Sequence, residues 1–194
     1  MTIVAAGLVR PQDGELRLER PGRPYTLAEV DAASDEGSEW WEADAGVVVV
    51  NAPPSFAHQR MVTGLIVGWR AVLTPDQWLV LTAPQRVVVD DTTWAEPDVA
   101  IWATGQAEVG GLPALVAEVN SPSTSRRDLQ VKPGLYARAG VEWLVLADPD
   151  ALTVVTYALA SDGSVDPLGQ AAGNETVACP LTGVALVPAR LALG

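Results

Sequence analysis

Lysine is almost absent from this sequence. One residue, Lys132, stands beside eleven arginines in a chain of 194 residues. Cysteine and histidine also occur once each, as Cys179 and His58. A single cysteine excludes an intrachain disulfide and favours a reducing compartment. One histidine and one cysteine together exclude, by count, most His/Cys metal sites and Cys–His nucleophilic pairs. No apolar run approaches the roughly 18 residues of a membrane span. The apolar stretch TIVAAGLV near the N-terminus is short and lacks both a basic lead and a clear cleavage site, so no signal peptide is read. A soluble cytoplasmic protein is expected. Positive charge is scarce overall, with a formal net charge of −12. That argues against a protein that coats nucleic acid, which gains affinity by neutralising phosphates with Lys and Arg. It leaves room for an enzyme whose bound metal meets a phosphate locally. A Walker loop, GxGxxG after a strand, HExxH, CxxC and a GxSxG elbow are all missing. Chemistry is left to carboxylates, hydroxyls, the arginines, one lysine and one histidine.

What remains has a clear order. The length fits one domain with a core of useful size. Residues 1–24 are rich in proline, glycine and charge and read as an N-terminal arm, with 25–194 as a single domain. Thr26 and Glu29 are placed as the capping box of a short helix. Val47 to Val50 is a β-branched run stopped by Pro53–Pro54. From Ser55 as N-cap, Met61, Val62, Leu65, Ile66, Trp69, Val72 and Leu73 form a helical stripe ending at Thr74–Pro75. WLVLTAP, RVVVDD, EPDVAIWAT and LPALVAEVNSP then read as strands bounded by breakers. STSRRDLQVKPGLYARAG reads as a helix closed by Gly140, and EWLVLADPD as a strand buried on both faces. LTVVTYAL and the ASDGS turn begin a β tail. The predicted class is α/β, with a mixed sheet flanked by helices and extra C-terminal strands.

Two carboxylates lie in apolar strands. Asp98 follows Pro97 at the head of VAIW, and Glu118 sits inside ALVAEVN, facing the same way as Val116 and Asn120. A glutamate there is costly to bury unless it is paired or holds a metal. Carboxylate oxygens on neighbouring strands suit Mg²⁺, with water and substrate phosphate completing its shell. A nearby lysine can meet a phosphate or orient a water. Each residue also has an ordinary reading. Glu118 fits a half-exposed strand face, Asp98 a strand start, and Lys132 a solvated helix face.

The motifs Pro97–Asp98, Glu118–Val119, Ser121–Pro122–Ser123–Thr124, Asp128, Lys132, Tyr136–Ala137, Gly140–Val141 and Asp148–Pro149 share an order and spacing. Together they resemble the Uma-type putative restriction endonuclease family of the PD-(D/E)XK nuclease superfamily. WWEADAGVVVVNAPPSFAHQR resembles that family's upstream segment, and the likeness covers roughly residues 24–192. The resemblance implies a restriction-endonuclease-like αβββαβ core and a Mg²⁺-dependent phosphodiesterase, with Mn²⁺ as a possible substitute. It implies Asp98 and Glu118 as metal ligands, Glu42 as a third carboxylate, and Lys132 as the catalytic lysine. In the wider superfamily that lysine lies two residues after the glutamate, where Asn120 stands here; in the Uma-type family it comes from the next helix. His58 and Asp128 match further family positions. His58 also reads as a core-edge histidine, and Asp128 as a cap or an i,i+4 partner of Lys132. Ser121, Ser123 and Thr124 read as caps. Pro133 disfavours helical geometry at Lys132, so the helix is expected to start at Pro133 or to kink there.

The leading expectation is a Mg²⁺-dependent endonuclease acting on DNA, as a homodimer that matches the two strands of a duplex. A second is an inactive scaffold of the same fold that binds a partner protein, and a third is a hydrolase of a small phosphorylated substrate. A basic rim of Arg126, Arg127 and Arg138 would favour DNA.

Overall fold

The computed structural model describes residues 8–9, 16–18, 22–32, 41–50, 53–107, 110–120 and 129–194. Four helices are described: α1 (Leu27–Asp31), α2 (Phe56–Arg70), α3 (Lys132–Ala139) and α4 (Pro188–Leu191). Fourteen strands accompany them. Their first half is β1 (Leu8–Val9), β2 (Leu16–Leu18), β3 (Trp41–Asp44), β4 (Val47–Val50), β5 (Trp78–Thr82), β6 (Val87–Asp90) and β7 (Thr93–Ala95). The rest are β8 (Val99–Ala103), β9 (Leu115–Val119), β10 (Trp143–Asp148), β11 (Thr153–Leu159), β12 (Val165–Ala172), β13 (Val177–Ala178) and β14 (Ala185–Leu186).

The central sheet has six strands in the order β12-β11-β10-β9-β8-β5. Only β9 and β10 run parallel; the other neighbours are antiparallel. The connection from β9 to β10 carries α3, as a parallel pair requires a crossover. All five residues of β9 are buried, because helices cover both of its faces. Leu115, Ala117 and Val119 pack with Met61, Leu65 and Trp69 of α2 on one face. Val116 packs with Leu135, Tyr136 and Ala137 of α3 on the other. The fold is the expected mixed α/β type, with the sheet between helices.

A second, antiparallel sheet has the order β1-β2-β4-β3-β7-β6. Val87 and Ala95 of this sheet join the core around α3, so α3 lies between the two sheets. RVVVDD, one of four successive runs read as strands, belongs here as β6 paired with β7. Two short strands from the expected arm extend the same sheet. A two-residue turn at Ala45 and Gly46, both at positive φ, joins β3 to β4. Gly46 has a second reason to lack a side chain: an added Cβ would come within 2.0 Å of Pro24 Cβ.

Local signals behave as physical chemistry requires. Thr26 and Glu29 form the reciprocal capping box of α1. Ser55 caps α2 by accepting from His58 N. That helix stops at Arg70, short of the expected Thr74–Pro75, its last turn tightening as the Val72 amide bonds Trp69 O three residues back. Val72 therefore leaves the stripe and is exposed. Gly140, at φ 99, closes α3 in the left-handed conformation that its missing Cβ permits. Helix α3 starts at Lys132, one residue before the expected Pro133. A proline near the first helical position removes an amide that has no intrahelical acceptor there anyway. The irregular residue is Val131, at φ −107, between helical Gln130 and Lys132.

Candidate active site

The C-terminal ends of the parallel strands β9 and β10 gather the polar groups. Glu118 sits one residue from the end of β9 and is 2% exposed. Its alternation in the strand turns it to the α3 side. Lys132 and Tyr136 lie four residues apart on α3, one turn of the same helix face. The Lys132 ammonium is 3.0 and 3.1 Å from the two Glu118 oxygens. The Tyr136 hydroxyl donates to Glu118 Oε1. From the second sheet, Glu42 of β3 reaches the same ammonium at 2.8 Å and accepts from Glu96 N at 2.9 Å. Lys132 is buried at 4% exposure and Glu42 at 0%. The single lysine therefore bridges two carboxylates from two different sheets. Removing such ions from water costs several kcal/mol each, offset only when geometry and hydrogen bonding are good.

Asp98 stands just before β8. The β8–β9 register pairs Val99 with Ala117, and one further step sets Asp98 opposite Glu118. Its Oδ2 accepts from Val119 N at 2.7 Å and lies 3.1 Å from His58 Nε2. A carboxylate only accepts, so Nε2 is the donor of that contact. Nδ1 is buried and has no hydrogen-bond partner among the described residues. His58 thus reaches over from α2 to orient Asp98. The Asp98 side chain is 16% exposed.

Glu96 continues the polar chain away from the lysine. Arg86 Nε donates to its Oε1 at 2.9 Å and also pairs with Asp31. Burial pushes the Glu96 carboxyl up to about 7, against the pull of Arg86. Burial, and after it the charge of Glu118, holds the Tyr136 phenol well above its ordinary range.

The expected residues divide. Glu42, Glu118 and Lys132 come together, with Asp98 opposite Glu118 and His58 behind Asp98. Asn120 does not join the lysine cluster: its amide nitrogen lies 3.3 Å from Asp148 Oδ2, beyond the strand end. Asp148 Oδ1 accepts from the Asp150 and Ala151 amides, which makes it a turn residue. Asp128, Ser121, Ser123, Thr124, Arg126 and Arg127 lie outside the described residues. Tyr136 and Glu96 were missed as site residues. The i,i+4 spacing of Tyr136 from Lys132 was a usable signal; nothing local marks Glu96.

The donors suit a hard cation. Asp98 and Glu118 offer only oxygen donors on adjacent strands, and Mg²⁺ commonly takes only one or two protein carboxylates. Glu42 reaches in from the second sheet, and its Oε1, like that of Glu118, already takes two donors. Among the described residues no group of three or more His, Cys, Asp or Glu side chains is arranged to hold a metal. No helix among them is long and apolar enough to cross a membrane.

A family model described as "Uma2: Putative restriction endonuclease" matches residues 27–189. No curated protein matches the chain. Among solved structures, the chain is similar to one titled a putative nuclease belonging to DUF820 from Anabaena variabilis ATCC 29413. The two share 19% identity and a TM-score of 0.69, over 87% of this chain and 97% of the other. At that identity the likeness concerns the fold.

Proposed function

The chain belongs to the Uma2 family, and from that premise we propose that it is a Mg²⁺-dependent endonuclease hydrolysing DNA phosphodiester bonds. One observation carries the reading. At the C-terminal end of β9, Glu118 and, from the second sheet, Glu42 gather around one ammonium, with Asp98 opposite Glu118 at the head of β8. Such a cluster repels a phosphate unless a cation joins it. Asp98 and Glu118 are the residues that would hold that cation, and Mn²⁺ is expected to substitute. Bound there, a divalent ion supplies positive charge against the phosphate and lowers the pKa of its water.

The chain's own groups do the rest. His58 and the Val119 amide hold Asp98 in one orientation. Glu42 anchors Lys132 from the second sheet, so the ammonium stays at the sheet end. There it is placed to meet the scissile phosphate or the attacking water. Two copies related by a two-fold axis would serve the two strands of a duplex.

Mn²⁺ and Mg²⁺ titrated calorimetrically into the wild type, Asp98→Asn and Glu118→Gln test this. Saturable binding to the wild type that both substitutions abolish is the expected result. A second reading, an inactive scaffold that binds a protein partner, is favoured by the way Lys132 spans both Glu118 oxygens. It predicts no heat even when Mg²⁺ and duplex DNA are supplied together, and that outcome would retire the nuclease.

A further inference from the structure

Tyr136 is fully buried among apolar neighbours, with Leu135, Val116 and Leu144 in the same cluster. A phenylalanine would fill that space equally well. What tyrosine adds is one hydroxyl, and that hydroxyl is spent on Glu118 Oε1. A buried phenol ordinarily finds some partner. Here the partner is the carboxylate to which the lysine is also bound.

The two donors act differently on Glu118. Lys132 Nζ lies 3.0 Å from one oxygen and 3.1 Å from the other. That near-symmetric contact holds the carboxylate in place but does not distinguish its oxygens. Tyr136 touches Oε1 alone. Fixing which way the Glu118 carboxylate is rotated takes a rigid, one-sided contact. Tyr136, packed within the helix–sheet core, makes such a contact.

We infer that Tyr136 is a positioning residue of the active site, whose hydroxyl fixes the orientation in which Glu118 presents its carboxylate to the divalent cation. The inference rests on the metal-centre reading above. It goes further by assigning a role outside the ligands themselves. Groups that orient metal ligands are typically worth 10–100-fold in metal affinity.

The test is a calorimetric titration of Mn²⁺, with and without a mixed-sequence DNA duplex, into the wild type, Tyr136→Phe and Leu135→Ala. Leu135 neighbours Tyr136 in the same core but is not placed at the site, so its truncation reports packing loss alone. The expected result is Mn²⁺ affinity about 10-fold weaker in Y136F, at a melting temperature close to the wild type. L135A is expected to melt at lower temperature and keep wild-type affinity. Equal affinity in Y136F and the wild type would overturn the positioning role while leaving the metal centre standing. Weakening of the same size in L135A would also overturn it, by reducing Tyr136 to a packing residue. A wild type that binds no Mn²⁺ under either condition would remove the metal-centre reading and the inference together.

Discussion

The two faces of the central sheet are buried alike and built differently. On the α2 face, Met61, Leu65 and Trp69 meet Val99, Ile101, Leu115, Ala117 and Val145. On the α3 face, Val116, Leu144 and Leu146 meet Leu135 and Ala137, but Glu118 and Lys132 sit in the same layer. Apolar burial stabilises by about 25 cal/mol per Å² and needs no partner. A buried ion pair is weak evidence for stability, because desolvation can cost more than the attraction returns. Stability therefore accounts for the α2 face and leaves the ionic cluster on the α3 face unexplained. The charges cluster at one end of that face, where the parallel strands finish.

The difference can be tested by damaging each face. Lys132→Met keeps much of the side-chain volume and removes the charge, leaving Glu42 and Glu118 buried without their shared cation. About 4 kcal/mol of stability should be lost in urea denaturation near neutral pH. Much of the loss should return on acidification, because uncompensated buried carboxylates have raised pKa values and are stabilising only while protonated. A loss that ignored pH would mean that the cluster is packing rather than charge. On the other face, Leu115→Ala should cost about 3 kcal/mol with no pH dependence, since it removes methyl groups and leaves a cavity. Equal pH dependence in the two variants would erase the distinction between the faces.

The smallest effect belongs to Glu96, at the margin of the cluster. Its carboxyl is raised from 4.5 to about 7, so the folded protein holds this proton more tightly than the unfolded chain. That contribution is complete below the unfolded value and is lost as pH rises through the window up to about 7. Stability should fall across it by at most about 3 kcal/mol, the raised value already including the pull of Arg86. Glu96→Gln should flatten the fall. An unchanged slope in that variant would assign the titration to another group.

Much of this architecture was legible in advance because its signals are local. The Thr26–Glu29 capping box, the Ser55 cap, the stripe of α2 and the Gly140 stop each depend on residues within a few positions of one another. The lack of alternation in EWLVLADPD announced that β10 is covered on both sides. Asp98, Glu118 and Lys132 were legible as polar exceptions within such segments. Other features were not. RVVVDD looks like any β-branched strand, and its own residues do not say that it pairs with β7 in the second sheet. The alternation that places Glu118 and Asn120 on one face holds only within the strand, so Asn120 could not be foreseen turning to Asp148 past its end. Glu42 drew attention only through a resemblance. Its burial and its bond to Lys132 depend on where the second sheet packs against α3.

The sequence by itself determined the elements, the apolar faces that have to meet, and the small set of carboxylates that burial makes conspicuous. These follow from backbone propensity and periodicity, which act over a few residues. Only the tertiary structure decided that one ammonium would serve Glu42 and Glu118 together, that His58 would orient Asp98, and that Tyr136 would touch a single oxygen of Glu118. Those pairings join residues on separate sheets and helices, and a hydrogen bond of about 3 Å exists only once packing has brought both ends within reach.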